Sequence, residues 1–307
     1  LKPCVRPNLL AWDGETYAFV GRAPSSTAFQ TPQDLSHLDD GTIPIACGHC
    51  ISCRIRRAME WKIRGIHEQQ STFHPTYAVT LTYDQDHLPE SGSLRKSDLQ
   101  SFHRRLRYQT GFEFRFLACG EYGPTTGRAH YHGVYFGLRL PDVYRSGVHY
   151  ASRTLLDAWG NGQVSFHLAT PASIGYVAGY VVKKLRSEHR SEPIMETVDF
   201  ETGMIIEESP VRREFLQASL RPGLGGPWID QYADQVIENG FMVIKEKPCY
   251  LIPQYYLKKL REHPGFPEFQ EKRRTHVQEN PILTPEDLSS LGIRLEQEMA
   301  HRLRSGV

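Results

Sequence analysis

The chain has 307 residues, 39% of them hydrophobic and 23% charged, and 36 Lys and Arg against 35 Asp and Glu leave a net charge of +1. The length suits one large domain or two modest ones with ample core, and the composition is that of an ordinary soluble protein. No run approaches the ~18 apolar residues of a membrane span, and no signal-peptide pattern opens the chain, so a membrane role is not expected.

The near-zero net charge conceals an asymmetry. Residues 1–53 carry 3 Lys and Arg against 5 Asp and Glu, residues 54–190 carry 19 against 11, and residues 191–307 carry 14 against 19. A basic middle segment between acidic ends is the footprint expected of a polyanion-binding region, though solvated helices also cluster charge.

Residues 1–46 are rich in turn formers and show no sustained periodicity. Arg54 to about Gln70 reads as a helix with Ile55, Met59, Ile63 and Ile66 at helical spacing and Arg54, Arg56, Arg57, Lys62 and Arg64 as basic positions, either solvated or touching phosphate. Tyr77–Tyr83 alternates and is rich in β-formers, so a strand is expected, ended by Asp84 to Pro89. A helix follows over Ser97 to about Thr110, then strands over Phe112–Glu121 and Ala129–Phe136 joined by a hairpin at Pro124 and Gly127. Ser152–Trp159 reads as a short helix, Gly162–Leu168 as a strand, and Ser173 as the cap of a helix carrying Tyr176, Tyr180 and Lys183. The order β-α-β-β-α-β-α implies an α+β fold, an antiparallel sheet with helices packed on it, related to the ferredoxin-like plan.

Beyond residue 190 the chain is loop-rich. Arg221–Trp228 reads as irregular, a plain turn or a backbone approach to DNA. Helices are expected near Trp228–Glu238, Gln254–Glu262 and Pro285–Arg304, with a strand near Phe241–Glu246. The expected division is a cysteine-rich segment with the basic helix over 1–70, a core over 71–190 and an acidic extension over 191–307.

Three groups of residues carry chemistry. His130 and His132 stand two apart on an expected strand and so point the same way, and the hairpin brings Glu121 back across from His130. Two imidazoles and a carboxylate suit Mg²⁺ or Mn²⁺ acting as a Lewis acid on phosphate. The competing reading is two surface histidines and a turn glutamate. Tyr176 and Tyr180 lie about 40° apart around their helix, and Lys183 falls on the same face. That face is either a core stripe or a pair of phenol nucleophiles with a helper ammonium, and the lysine favours the second.

Cys47, Cys50 and Cys53 form two overlapping C-x-x-C steps, which is metal spacing and points to a reducing compartment. Structural zinc, with Cys4 or His49 as the fourth ligand, is the favoured reading. Reduced thiols and an iron–sulfur site are the alternatives. Cys119 and Cys249 read as core residues.

Taken together, Cys47–Arg54, Val79–Tyr83 with Leu88-Pro89, Cys119–Gly123, Ala129–His132 and Tyr176–Lys184 resemble, in order and separation, the replication initiators of microviruses, the small single-stranded-DNA phages of the gokushovirus-like branch. These are HUH endonucleases. A looser likeness covers Arg221–Gly225 and Tyr255–Leu260. The resemblance implies rolling-circle replication by metal-dependent nicking and joining of single-stranded DNA through 5′-phosphotyrosine, with His130, His132 and Glu121 as ligands, Tyr176 and Tyr180 as paired nucleophiles and Lys183 assisting. It also implies single-stranded origin DNA as substrate, host helicase or polymerase as partners, and the host bacterial cytoplasm as location. Tyr131 stands where relatives often carry an aliphatic residue, and is expected to face the core; Gly179 stands where some carry lysine. Other readings are a non-catalytic zinc-containing nucleic-acid-binding protein and a transposase or relaxase of the same nuclease class.

Overall fold

The computed structural model describes residues 8–12, 17–22, 42–123, 126–146, 149–184, 194–198, 205–210, 212–244 and 246–279. Cys4 and the expected helix over Pro285–Arg304 lie outside the described residues. So does the side chain of Lys183, whose backbone is helical. Two compact units are described in turn, one of residues 1–60 with 232–307 and one of residues 61–231.

In chain order the first elements are strands β1 (Asn8–Trp12), β2 (Tyr17–Arg22) and β3 (Thr42–Ile45), then helix α1 (Ile51–Gln70). Strand β4 (Tyr77–Tyr83), helix α2 (Lys96–Thr110), and strands β5 (Arg115–Tyr122) and β6 (Ala129–Phe136) follow. Next come the short strands β7 (Tyr144–Ser146) and β8 (His149–Ala151), helix α3 (Arg153–Trp159), strand β9 (Gly162–Leu168) and helix α4 (Pro171–Lys184). The C-terminal part holds β10 (Ile194–Val198), β11 (Ile205–Pro210), β12 (Phe215–Ala218), α5 (Gly226–Asn239), β13 (Met242–Ile244), β14 (Lys247–Cys249), α6 (Gln254–Leu260) and α7 (Phe266–Glu279).

In the unit of residues 61–231 the seven-stranded sheet runs β12-β5-β6-β4-β9-β8-β7. Its four expected strands, taken in chain order, stand in the order two-three-one-four and pair antiparallel throughout, which is the ferredoxin-like arrangement. The α+β expectation holds. One face carries the main core, where Leu99, Phe102 and Leu106 of α2 and Leu155, Ala158 and Trp159 of α3 pack on Val79, Leu81, Tyr83, Tyr131 and Phe166 of the sheet. Leu99, Phe102 and Leu106 recur every three or four residues, so a single face of α2 is apolar and is buried. Ser152 caps α3 by accepting from the Leu155 N–H, and Arg105 of α2 donates to the Ala158 and Trp159 carbonyls at its other end. Helix α4 covers part of the other face, burying Ile174, Val177 and Ala178. Helix α1 reaches α4 at Gly65, where a Cβ would stand 2.6 Å from Ile174 Cγ2.

Several expectations are corrected. Ser173 is not the cap of α4. Thr170 Oγ1 accepts the Ser173 N–H at 3.2 Å while Ser173 Oγ accepts the Thr170 N–H at 2.9 Å, so the two form a reciprocal capping box with Thr170 at the cap. Residues 1–46 include three antiparallel strands, β2-β1-β3, that turn-rich composition obscured. Strand β12 was not expected at all. Its four residues are too few for a period to register, and pairing with β5 selects them. Within Arg221–Trp228, Gly226, Pro227 and Trp228 open α5, with Pro227 in the first turn, where a missing N–H costs nothing. Its preceding loop is fastened to the fold: Glu68 pairs with Arg115 and accepts the Gly225 N–H, Arg64 donates to the Leu224 carbonyl, and His67 stacks on Trp228 at 3.6 Å.

The other unit holds the β1–β3 sheet, the hairpin of β13 and β14, and helices α6 and α7. Cys249 on β14 is only half-buried, whereas Cys119 on β5 is fully buried as expected. Among the described residues no helix is long and apolar enough to cross a membrane.

Candidate metal and nucleophile site

The register of three adjacent strands builds the site. Glu121 on β5 is paired with His130 on β6, and His132 is paired with Cys119 on one side and with Thr80 of β4 on the other. Paired residues share a face, so Glu121, His130, His132 and Thr80 rise together from the side of the sheet that α4 partly covers. Tyr131 between the histidines points to the opposite face and is fully buried, as expected. Its hydroxyl meets that of Tyr83 at 2.7 Å and bonds the Arg95 backbone, while Phe215 lies over Gly120, which has no Cβ to block it.

Glu121 Oε2 lies 3.6 Å from Nε2 of His130 and 3.5 Å from Nε2 of His132. All three ligand atoms fall within 4.8 Å of one another, and Glu121 is buried. Two donors each about 2.1 Å from one ion and at right or slightly wider angles stand roughly 3.0–3.5 Å apart, so the set fits a single cation with coordination positions to spare. The other ring nitrogens are engaged. Nδ1 of His130 lies 3.0 Å from the Arg128 carbonyl, which only accepts, so in the neutral ring Nε2 offers its lone pair. Nδ1 of His132 lies 2.9 Å from Thr80 Oγ1. Burial resists protonation of His130, but the Glu121 carboxylate, the Arg128 carbonyl and the charge of Glu214 together outweigh it and raise its pKa above the ordinary value.

The two tyrosines of α4 stand over His132. The Tyr176 ring is edge-on to it at 5.3 Å, and the Tyr180 ring lies nearly parallel at 5.8 Å. The Tyr180 hydroxyl donates to the Tyr176 hydroxyl. Burial, and then hydrogen bonds with Glu121 and Tyr176, hold the Tyr180 phenol well above the ordinary phenol range. The core-stripe reading of this face fits Tyr180, which is buried, but not Tyr176, which is exposed.

Residue-by-residue reading missed Glu214 and Thr80. Glu214 immediately precedes β12, and its Oε1 accepts the Tyr122 N–H at 3.1 Å. No local pattern marks it, because its place depends on β12 joining the sheet edge. Thr80 sits inside a strand that the sequence marks clearly, and the strand period alone places it on the histidine face.

The cysteine trio forms a second cluster, in the other unit. Cys47, Cys50 and Cys53 bring their sulfurs within 4.8 Å of one another, and the N–H groups of His49 and Cys50 point at Cys47 Sγ at 3.4 and 3.3 Å. Tetrahedral zinc spaces its sulfurs about 3.8 Å apart, and N–H donors to sulfur favour the thiolate, so the trio fits such an ion. His49, the alternative fourth ligand, is exposed.

Against known proteins, the family model for the replication-associated protein ORF2 group matches residues 76–185, which hold both histidines, Glu121 and both tyrosines. Replication-associated protein VP4 of Bdellovibrio phage phiMH2K is 30% identical over 68% of this chain and 65% of its own length. Replication-associated protein ORF4 of Chlamydia phage 1 is 34% identical over 47% of this chain and 39% of its own. The chain is a relative of phage replication-associated proteins. Replication-associated protein ORF2 of Spiroplasma virus 4 is a further relative, 28% identical over 46% of this chain and 48% of its own. The chain thus matches less than two thirds of the length of these relatives, and no solved structure matches it. The likeness to microvirus initiators drawn from the motifs is upheld.

Proposed function

We propose that this chain initiates rolling-circle replication as an HUH endonuclease, nicking and rejoining single-stranded DNA at an origin through 5′-phosphotyrosine. The observation that carries the reading is the convergence of two phenols on the ring of a histidine that itself faces a buried carboxylate and a second histidine. Glu121, His130 and His132 would hold Mg²⁺ or Mn²⁺, which when bound supplies Lewis acidity toward a phosphate oxygen. Thr80 and the Arg128 carbonyl fix the two imidazoles so that Nε2 faces inward. A tyrosine oxygen attacks phosphorus and the P–O3′ bond breaks, leaving a 3′-hydroxyl to prime synthesis and a phosphotyrosine that keeps the bond energy for joining. Two phenols on one face allow a second attack while the first is still loaded. Lys183, one helical turn after Tyr180, would assist a phenol in losing its proton.

Cys47, Cys50 and Cys53 would hold structural zinc with Cys4 as the fourth ligand, joining the N-terminal segment to the start of α1. Origin DNA is the proposed substrate, and host replication helicase or polymerase the proposed partners, in the cytoplasm of a bacterial host.

The test is incubation with Mn²⁺ and single-stranded oligonucleotides tiled across the replicon that encodes the chain, followed by a denaturing gel. A covalent protein–DNA band is expected. Binding without any adduct would leave a non-catalytic nucleic-acid-binding protein as the answer.

A further inference from the structure

We infer that the two phenols are not interchangeable: Tyr176 takes the first strand, and Tyr180 is held back until it has done so. The inference rests on the strand-transfer reading above and adds an order to it. Both residues stand over His132, yet their surroundings differ. Tyr176 is 52% exposed and Tyr180 4%. The inner ring lies flat against His132, at 12° between planes, whereas the outer ring stands across it at 89°. The hydroxyl of Tyr180 donates to the oxygen of Tyr176. A phosphodiester arriving from solvent therefore meets Tyr176 first. The oxygen it meets already has a donor aimed at it, and that donor stabilises negative charge as the phenol ionises.

The hydrogen bond also couples the two events. Tyr176 Oη attacks phosphorus and its proton passes to water, while the P–O3′ bond breaks and the departing 3′ oxygen takes a proton from water. Tyr176 Oη is then an aryl ester oxygen, a weaker acceptor than a phenol or phenolate, so loading the first tyrosine releases the hydroxyl of the second. When the same phosphodiester is presented again, Tyr180 Oη attacks it and a new 3′-hydroxyl leaves. That hydroxyl attacks the Tyr176 phosphoester, the P–O bond to Tyr176 breaks, and the phenol recovers its proton. Each step exchanges one P–O bond for another, and no external energy source enters.

The competing explanation of the burial is packing, with Tyr180 a core residue that happens to touch the site. That explanation predicts joining to be unharmed when only its hydroxyl is lost.

The full chain, Mn²⁺ and the tiled single-stranded oligonucleotides suffice to decide. The adduct formed in the first turnover is trapped by rapid quenching and located by fragmentation mass spectrometry, which needs no variant. At least roughly tenfold more adduct on Tyr176 than on Tyr180 is expected. Tyr176→Phe should slow that first adduct roughly 100-fold. Tyr180→Phe removes the donor and the second nucleophile, so it should slow the first adduct several-fold and lower joined product roughly 100-fold, with Tyr176-linked DNA accumulating. Adduct that appears first on Tyr180, or equally on both, overturns the order and leaves strand transfer standing. Normal joining by Tyr180→Phe overturns the reserve role, and adduct on neither residue overturns the strand-transfer reading itself.

Discussion

At the scale of single residues, the side chains that aim the proposed ligands are as informative as the ligands. Thr80 bonds Nδ1 of His132 at 2.9 Å. Thr80→Val keeps the strand's β-branched shape and removes that partner, so Mn²⁺ affinity measured by calorimetry should fall roughly 10-fold. His130→Ala and His132→Ala should abolish cleavage, and Glu121→Gln should weaken metal binding. Protons compete for the same site. Because Glu121 and its neighbours raise the pKa of His130, Mn²⁺ binding should strengthen as pH rises above the ordinary histidine value of about 6.5. Without metal the sign reverses: a raised folded-state pKa adds stability below about 6.5 that is lost as pH rises through the folded value. A Mn²⁺ affinity flat between about pH 5.5 and 8 would argue against His130 as a ligand. Glu121, His130 and His132 were legible in the sequence because strand period and hairpin return are local rules. Glu214 was not, because its position is created by a distant strand.

At the scale of elements, local signals located β4, β9 and α2–α4 to within a residue or two of their ends. The N-terminal strands and β12 escaped because short strands draw their identity from partners far away in sequence. The sequence alone puts the cap of α4 one turn late, since either member of a reciprocal box can look like the cap. Thr170→Ala should cost about 1 kcal/mol of stability, measured by chemical unfolding, and should loosen the helix that carries the tyrosines. The zinc proposal also belongs here. Elemental analysis should find one zinc per chain, and replacing Cys47, Cys50 or Cys53 with Ser should release it and lower the melting temperature by roughly 5–10 °C. Two buried histidines predict acid sensitivity. Burial lowers His67 and His103 to about 3, so the folded state binds fewer protons than the unfolded chain. The stability they confer is complete above about 6.5 and is lost as pH falls from there toward about 3. The fall in melting temperature with acid across that window should be shallower in His67→Gln and His103→Gln than in the parent protein.

For the molecule as a whole, affinity for DNA and chemistry on DNA should be separable. The excess of positive charge lies in residues 54–190, 19 Lys and Arg against 11 Asp and Glu. Some of it serves the fold instead: Arg56 pairs with Glu60, Arg64 bonds the Leu224 carbonyl, Arg105 holds the end of α3 and Arg115 pairs with Glu68. The remaining cations are available for phosphate, and each phosphate neutralised on a single strand steepens the salt dependence of log K by about 0.7. Removing both hydroxyls with Tyr176→Phe and Tyr180→Phe changes no charge in that surface and keeps both rings against His132. The double variant should therefore bind single-stranded oligonucleotides within about threefold of the parent affinity and with the same salt slope, since the counterions released are unchanged. It should form no covalent adduct at any Mn²⁺ concentration. Fluorescence anisotropy titrations at two or three salt concentrations, run beside denaturing gels, measure both properties on one preparation. Adduct surviving in the double variant would mean that a different residue is the nucleophile. Affinity collapsing along with the adduct would mean that the phenols bind DNA by stacking, leaving their chemistry to be shown by the single variants.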